Sequence, residues 1–545
     1  MIGGCLATVN SVSDKWVLVI DDLEGMRSQL RMTLSTSGFA KLHVVSRIKD
    51  ALERMAEHRY DIILCDYFLG DSTNGQQFLE YLRTNDLISR NTIFVMITAE
   101  QSYEKVVVAS ECAPDDYLLK PFTAGQFNAR LHKLLEKQNY LESIDQATDS
   151  KNWQKVIVEC DRRLPARDKY FLDLCKIKGA ALMRENRAHE AVDLYQQVIQ
   201  LRPIGWARLG LARALAMQGK NEEALALLRQ LLKDSPQFMA AYDFMSRLLA
   251  QSGDKEQALD VLQQARTVSP GTMSRVRTLS SLAVSTGKPE IAESVMRETL
   301  ARHKHSPVRQ ANDYAVLSKA LVDQGKAVEA LSVLDDAKKD FRDDLSSVML
   351  AASECVAHRK AGNLTLAEEA LARSMTMGDA SKLPPQAIVA LAEACFAMDK
   401  ENEATDLLRQ AIQNNHEDSS LKGKVHEVLT MVGKDPAEAT ALIEVSVREV
   451  VMINNDGVRK ADAGEFEAAI KLLNEAASRL PNNMQIVGNA ALVLALDMVR
   501  NGVDANKLRQ CLVHRDAIMA RFPAHQTLLK INGLLRRINK AGEAA

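Results

Sequence analysis

What the 545-residue chain lacks narrows its function first. Aromatic residues are sparse, at 5%, and the longest apolar stretch, around Val487 to Val499, is short and interrupted, whereas a membrane-spanning helix needs about 20 apolar residues. There is no block of Lys and Arg and no basic amphipathic helix; 69 basic residues against 71 acidic ones leave a net charge of −2. These absences argue against an anionic membrane or nucleic acid as partner, and no helix-turn-helix with a basic recognition helix points to DNA. The eight cysteines, at 5, 65, 112, 160, 175, 355, 395 and 511, form no CxxC pair and no Cys/His metal spacing. A reduced, cytoplasmic chain with buried thiols is the expectation. Met1 to Asp14 has neither the basic nor the apolar region of a secretory signal and reads as a loose tail. No Walker loop, Ser/His/Asp triad or catalytic carboxylate pair stands in residues 138–545, so no separate catalytic domain is expected.

What is present begins with four signals at the ends of apolar runs. Asp21-Asp22 follows Trp16 to Ile20, Asp66 follows Ile62 to Cys65, Thr98 follows Phe94 to Ile97, and Lys120-Pro121 follows Tyr117 to Leu119. Short continuous apolar runs are the mark of buried parallel strands. Strands are expected near 16–20, 41–45, 61–65, 92–97 and 116–119, and amphipathic helices near 25–37, 47–58, 75–84 and 102–110, with a last helix from about Thr123. Gly38 and the Gly70 to Gly75 segment punctuate the loops. Five strands alternating with five helices predict a doubly wound, flavodoxin-like α/β domain with a five-stranded parallel sheet and right-handed crossovers. Such sheets gather their functional residues at the carboxyl ends of the strands.

Charge then dictates the chemistry. Asp21, Asp22 and Asp66 would lie within a few ångströms of one another, each pair repelling by about 4 kcal/mol at an effective dielectric near 20. The cluster calls for a cation, and Mg²⁺ suits it because it takes a few carboxylate oxygens and readily accepts phosphate. With Lys120 offsetting further charge, Asp66 would attack a phosphoryl group to give an aspartyl phosphate, and the Thr98 hydroxyl would donate to a phosphoryl oxygen.

The segments VLVIDDLEGMR, DIILCDYFLGDSTNG, IFVMITAE and DDYLLKPF make residues 15 to about 137 resemble the receiver domain of two-component response regulators. The resemblance implies Asp66 as phosphoacceptor, Asp21 and Asp22 with Asp66 and the Phe68 backbone carbonyl as the Mg²⁺ site, and Thr98 and Lys120 as catalytic groups. It also implies Thr98 and Tyr117 as switch residues, a cis peptide at Pro121, and a histidine kinase or phosphotransfer protein as phosphoryl donor. The loop from Asp66 to Gly75 is about one residue longer than that family's commonest spacing. The Phe68 ring, two residues past the phosphoacceptor, would shield the phosphoryl group from water and slow self-dephosphorylation.

From residue 138 to 545 the sequence repeats itself. A Gly-like residue followed five positions later by Ala recurs as Asn186/Ala191, Gly219/Ala224, Gly253/Ala258, Gly287/Ala292, Gly325/Ala330, Gly362/Ala367, Asp399/Ala404 and Gly464/Ala469. The Ala positions are separated by 33, 34, 34, 38, 37, 37 and 65 residues, the last leaving room for one degenerate repeat. Pro203, Pro236, Pro270 and Pro481 stand 12 residues after an Ala and end units, since proline cannot continue a helix. Trp153 and Pro165 share that separation, placing a weaker first repeat near 139. A period near 34 predicts an all-α helical-repeat solenoid, and the pattern, clearest at 170–310 and 450–482, resembles the tetratricopeptide repeat, with Leu211-Ala212 where that family has Leu-Gly. The resemblance implies a protein or peptide ligand on the array and no catalytic residue. His303 and His305 read as solvated loop residues, Met273 and Met296 as core, and Cys112 as a buried helix-end residue.

Gln126 to Ala147 contains no Gly or Pro and reads as one continuous helix, with Leu131, Leu134, Leu135 and Leu141 as its apolar stripe. The last receiver helix would thus run directly into the first repeat and transmit rearrangement better than a flexible tether. The preferred function is a phosphorylation-controlled adaptor. The alternatives are a constitutive scaffold whose receiver serves for docking or homodimerisation, and a regulatory subunit that recruits an enzyme.

Overall fold

The computed structural model describes residues 12–69, 74–85, 87–99, 114–270, 272–304, 306–377, 383–521 and 526–543. The expected helix at 102–110, Cys5, Cys112, His305 and most of the Gly70 to Gly75 loop lie outside them. The chain divides into two compact units: Met1–Leu282 with Arg297–Arg309, and Ala283–Met296 with Gln310–Ala545.

The first unit opens with a five-stranded parallel sheet: β1 (Trp16–Ile20), β2 (Lys41–Val45), β3 (Ile62–Asp66), β4 (Ile93–Thr98) and β5 (Asp116–Leu119), in the order β2-β1-β3-β4-β5. The observed β3 and β4 reach one residue further than expected, so Asp66 and Thr98 close their strands. Both strands are buried along their whole length. Helices α1 (Glu24–Thr36), α2 (Ile48–Glu57) and α3 (Gly75–Thr84) match the predicted positions within a residue. Val17, Val19, Leu64 and Val95 face one core with Leu30, Leu34 and Phe127; Leu18, Ile20, Ile63 and Phe94 face the other with Phe78, Leu79 and Leu82. That is the alternation of a sheet covered on both faces. Val12–Asp14, expected within a loose tail, form a short 3-10 turn.

Helix α4 (Ala124–Asp149) starts behind a capping box in which the Thr123 side chain accepts from the Gln126 amide. As its composition predicts, it runs unbroken through the expected domain boundary. Leu131 belongs to the core on one face of the sheet, while Leu141, Ile144 and Ala147 belong to the core of the helices that follow. One helix therefore holds two cores together.

After it, helices of 13 or 14 residues pair as Phe171–Arg184 with Ala188–Leu201, Gly205–Met217 with Asn221–Asp234, and Met239–Gln251 with Lys255–Val268, each packing on the next. The predicted turn residues all adopt positive φ, from Asn186 at 57° and Asp399 at 59° to Gly253 at 90°. This is the left-handed region that glycine enters without strain and Asn or Asp tolerate. Each Ala five residues on is fully buried, letting the second helix of its pair approach the first. Helices end two residues before Pro203, Pro236 and Pro270. The weak first repeat is present, with Lys151 at φ 53° and Val156 buried in the alanine position.

In the second unit the same pairing continues from Ala311–Asp323 to Gln526–Glu543. The degenerate repeat that the 65-residue gap allowed is formed by Ser419–Met431 and the long helix Pro436–Asp462, joined through Gly433 at φ 85°. Its signature escapes notice because Glu438, not Ala, stands five residues after the turn, with Ala439 taking the buried place. Among the described residues, no helix is long and apolar enough to cross a membrane.

Candidate functional site

The carboxyl ends of β1, β3 and β5 bring Asp21, Asp66 and Lys120 together. The Lys120 ammonium donates to Asp21 Oδ2 at 2.9 Å and to Asp66 Oδ2 at 3.0 Å. Asp21 is fully buried, Asp66 nearly so, and Asp22 beside them is exposed. The three carboxylates offer oxygen atoms within 4.8 Å of one another. One ammonium against three carboxylates leaves an excess of negative charge. An all-oxygen donor set of this kind, open on the Asp22 side, fits a hard divalent cation.

The backbone fixes this geometry. The Asp21 side chain accepts from the Leu23 amide at 2.9 Å, and the Arg27 guanidinium donates to the carbonyls of Asp21 and Asp22, both at 2.8 Å. Arg27 was within the quoted motif, but its role rests on a loop path that no residue pattern specifies. The Lys120 amide donates to the Thr98 carbonyl at 2.7 Å, and the Lys120-Pro121 peptide is cis, as expected. Gly75, the first residue of α3, is required by space: a Cβ there would lie 2.4 Å from the Asp66 carbonyl oxygen and 2.8 Å from Met96 Sδ.

Burial lifts the Asp66 carboxyl above its ordinary range, while the Lys120 hydrogen bond and charge pull it partly back. For Lys120, burial would lower the ammonium, but its bonds to Asp21 and Asp66 prevail and raise it. The Lys120 shift favours its charged, paired form, whereas burial of Asp66 works against ionisation of that carboxyl and the Lys120 ammonium offsets part of that cost.

Thr98 is buried at the end of β4, with its backbone held by Lys120. Tyr117 is half-buried, and its hydroxyl is enclosed with no hydrogen-bond partner among the described residues. Burial, with Tyr67 nearby, pushes that phenol up to about 12. Phe68 lies two residues beyond Asp66 with its ring 55% exposed, edge-on to Tyr67 at 4.9 Å between centroids. The structure therefore joins Asp21, Asp22, Asp66 and Lys120 directly, and sets Thr98, Tyr117 and Phe68 on the adjoining strand ends and loop.

His303, expected to be solvated, is 1% exposed. Its Nδ1 accepts from Gln77 Nε2 of α3 at 2.9 Å. A polar loop sequence does not reveal that another element covers it.

The family model described as the response regulator receiver domain matches residues 17–136. Residues 17–136 are a response regulator receiver domain. The tetratricopeptide repeat model matches residues 182–248 and 215–283, so repeats of that type follow the receiver. Among curated proteins, the transcriptional regulatory protein GltR of Pseudomonas aeruginosa is 28% identical over 132 residues, 24% of this chain and 53% of that protein. The chain thus spans about half the length of that regulator. The chemotaxis protein CheY-3 of Vibrio cholerae is 26% identical over 121 residues, 22% of this chain and 92% of that protein. Among solved structures, a Francisella response regulator receiver domain is 26% identical, covering 23% of this chain and 98% of its own, with a TM-score of 0.21. A tetratricopeptide repeat protein from Parabacteroides merdae is 13% identical, covering 47% of this chain and 98% of its own, with a TM-score of 0.35.

Proposed function

We propose that the chain is a phosphorylation-controlled signalling adaptor acting in the cytoplasm. Its receiver accepts a phosphoryl group on Asp66 and thereby alters protein binding by the receiver or the repeats. The observation that carries this reading is the Lys120 ammonium held between Asp21 and Asp66, with Asp22 beside them. A purely structural sheet end has no need of three clustered carboxylates, whose repulsion works against folding.

In the transfer, a carboxylate oxygen of Asp66 bonds to phosphorus as the P–N bond of a phosphohistidine donor breaks. The electron pair returns to the imidazole nitrogen, which takes up a proton and leaves neutral. When bound among Asp21, Asp22, Asp66 and the Phe68 carbonyl, Mg²⁺ would offset the charge of the phosphoryl oxygens. Lys120, already paired to Asp66, neutralises charge on the same side, and the Thr98 hydroxyl donates to a phosphoryl oxygen. Moving Thr98 toward the phosphoryl group makes room beside it, and the unpartnered Tyr117 hydroxyl gains by rearranging, because a buried polar group without a partner costs about 1–3 kcal/mol. The repeats supply a surface for a protein or peptide partner. Phe68 shields the phosphoryl group and prolongs the phosphorylated state.

Incubating the full chain with a small acyl phosphate, with and without Mg²⁺, tests the first step. Intact-mass analysis should show one added phosphoryl group that requires both Mg²⁺ and Asp66. Incorporation unaffected by Asp66→Asn would refute the assignment.

A further inference from the structure

Helix α3 packs on the sheet with one face and meets the repeats with another. Phe78, Leu79 and Leu82 face the sheet. Gln77 and Glu80, three residues apart and so on one helix face, turn instead to the repeats within the same unit. Gln77 Nε2 donates to His303 Nδ1 at 2.9 Å. The Glu80 carboxylate lies close enough to Ser274, Arg275 and Arg277 for all three to favour its charged form. Arg275 is itself 4% exposed and bonded twice to Asp243, Nε to Oδ1 at 2.9 Å and Nη2 to Oδ2 at 3.2 Å. The Arg277 guanidinium donates to the Val308 carbonyl at 2.6 Å. The surface that receives α3 thus sets Ser274, Arg275 and Arg277, on the first helix of a repeat, Met273–Ser285, around a carboxylate of the receiver, beside the Gln77–His303 hydrogen bond.

The same helix is tied to the phosphoacceptor. Its first residue, Gly75, abuts the Asp66 carbonyl and donates its amide to the Tyr67 carbonyl at 2.8 Å. Just before it, Asn74 pairs with Phe68 across the ends of the loop. The Gln77 amide serves both sides: its oxygen accepts from the Asn74 amide at 3.0 Å while its nitrogen donates to His303. A change in the Phe68–Asn74 pairing that reorients Gln77 cannot keep both bonds.

We propose that Ser274, Arg277 and His303 form a carboxylate-and-amide docking site on the repeats that the chain fills with Glu80 and Gln77 of its own receiver, and that phosphorylation of Asp66 loosens this latch. The inference rests on the phosphoacceptor reading above and adds the contact through which the repeats sense it. Until α3 withdraws, this patch of the repeat face is closed to any external partner.

Hydrogen exchange on the full chain tests the latch, comparing the free protein with protein treated with beryllofluoride and Mg²⁺, an analogue of the aspartyl phosphate. Backbone amides of residues 74–82 and 274–280 should exchange faster by roughly fivefold or more in the treated wild type, equivalent to about 1 kcal/mol of lost protection. Asp66→Ala should show no such change. Glu80→Gln, which preserves size and removes the charge, should accelerate residues 274–280 without treatment, as should Arg277→Gln from the other side. If treatment alters exchange at Thr98 and Tyr117 but leaves 274–280 unchanged, the latch is wrong and the phosphoacceptor reading stands. If treatment changes nothing anywhere in the receiver, the reading beneath the latch fails as well.

Discussion

In the receiver, Asp21 and Lys120, 99 residues apart in sequence, meet at 2.9 Å, and each is a singular side chain at one strand end. In the repeats, the same two positions return again and again: a residue with positive φ, and five residues later a fully buried alanine. The receiver concentrates its chemistry in a few costly charges, whereas the repeats distribute their stability over many equivalent contacts. Substitution should therefore separate function from folding in one region and leave them joined in the other.

The largest effect expected is from Asp66→Asn. It should abolish phosphoryl uptake entirely while unfolding no earlier than the wild type, because it removes one of three mutually repelling carboxylates; mass analysis and urea denaturation measure the two. Loss of the fold in this variant would break the contrast. Leu228→Ala, at a fully buried position of the repeats, should do the reverse, costing about 2–5 kcal/mol of stability with phosphoryl uptake at the wild-type rate. Gly75→Ala tests where the two kinds of residue coincide. Its Cβ would meet the Asp66 carbonyl, so denaturation should show a loss of about 1–3 kcal/mol and phosphoryl uptake should slow. Phe68→Asn sharpens the lifetime of the signal: decay of the acyl phosphate should speed up with stability unchanged, and an unaltered decay removes the shielding role.

The smallest effect concerns pH. Asp145 on α4 is pushed up to about 6 by burial and by the neighbouring Asp149. The folded chain then keeps a proton that the unfolded chain has lost, so this carboxyl destabilises the fold as pH rises from about 4 to 6. Asp145→Asn should flatten the stability profile in that window, and an unchanged slope would place the titration elsewhere.

The strands and the acidic site were legible because their signals are local: a short apolar run, then a charged residue at its end. The alternation of such runs with amphipathic segments also specified the parallel sheet, and the recurring Gly-to-Ala interval specified the helical pairs. His303 and Glu80 were not legible. His303 sits in a polar stretch that looks solvated until another element covers it, and Glu80 reads as the solvent-side charge of an amphipathic helix; nothing in either local sequence names its partner. Arg27 and Gly75 fall between these cases, since their residue types stood in the quoted segments but their contacts depend on the path of a loop. The repeat at residues 419–462 escaped because its alanine is shifted by one position.

The central claim is that the state of Asp66 governs what the chain binds. Affinity capture with the wild type, with Asp66→Ala and with wild type carrying beryllofluoride and Mg²⁺ addresses it directly, with dissociation constants then measured for each recovered partner. The account predicts at least one partner whose affinity differs about tenfold or more, or about 1.4 kcal/mol, between the beryllofluoride form and the other two. Identical partners bound with identical affinity in all three states would contradict it and leave the chain a constitutive scaffold.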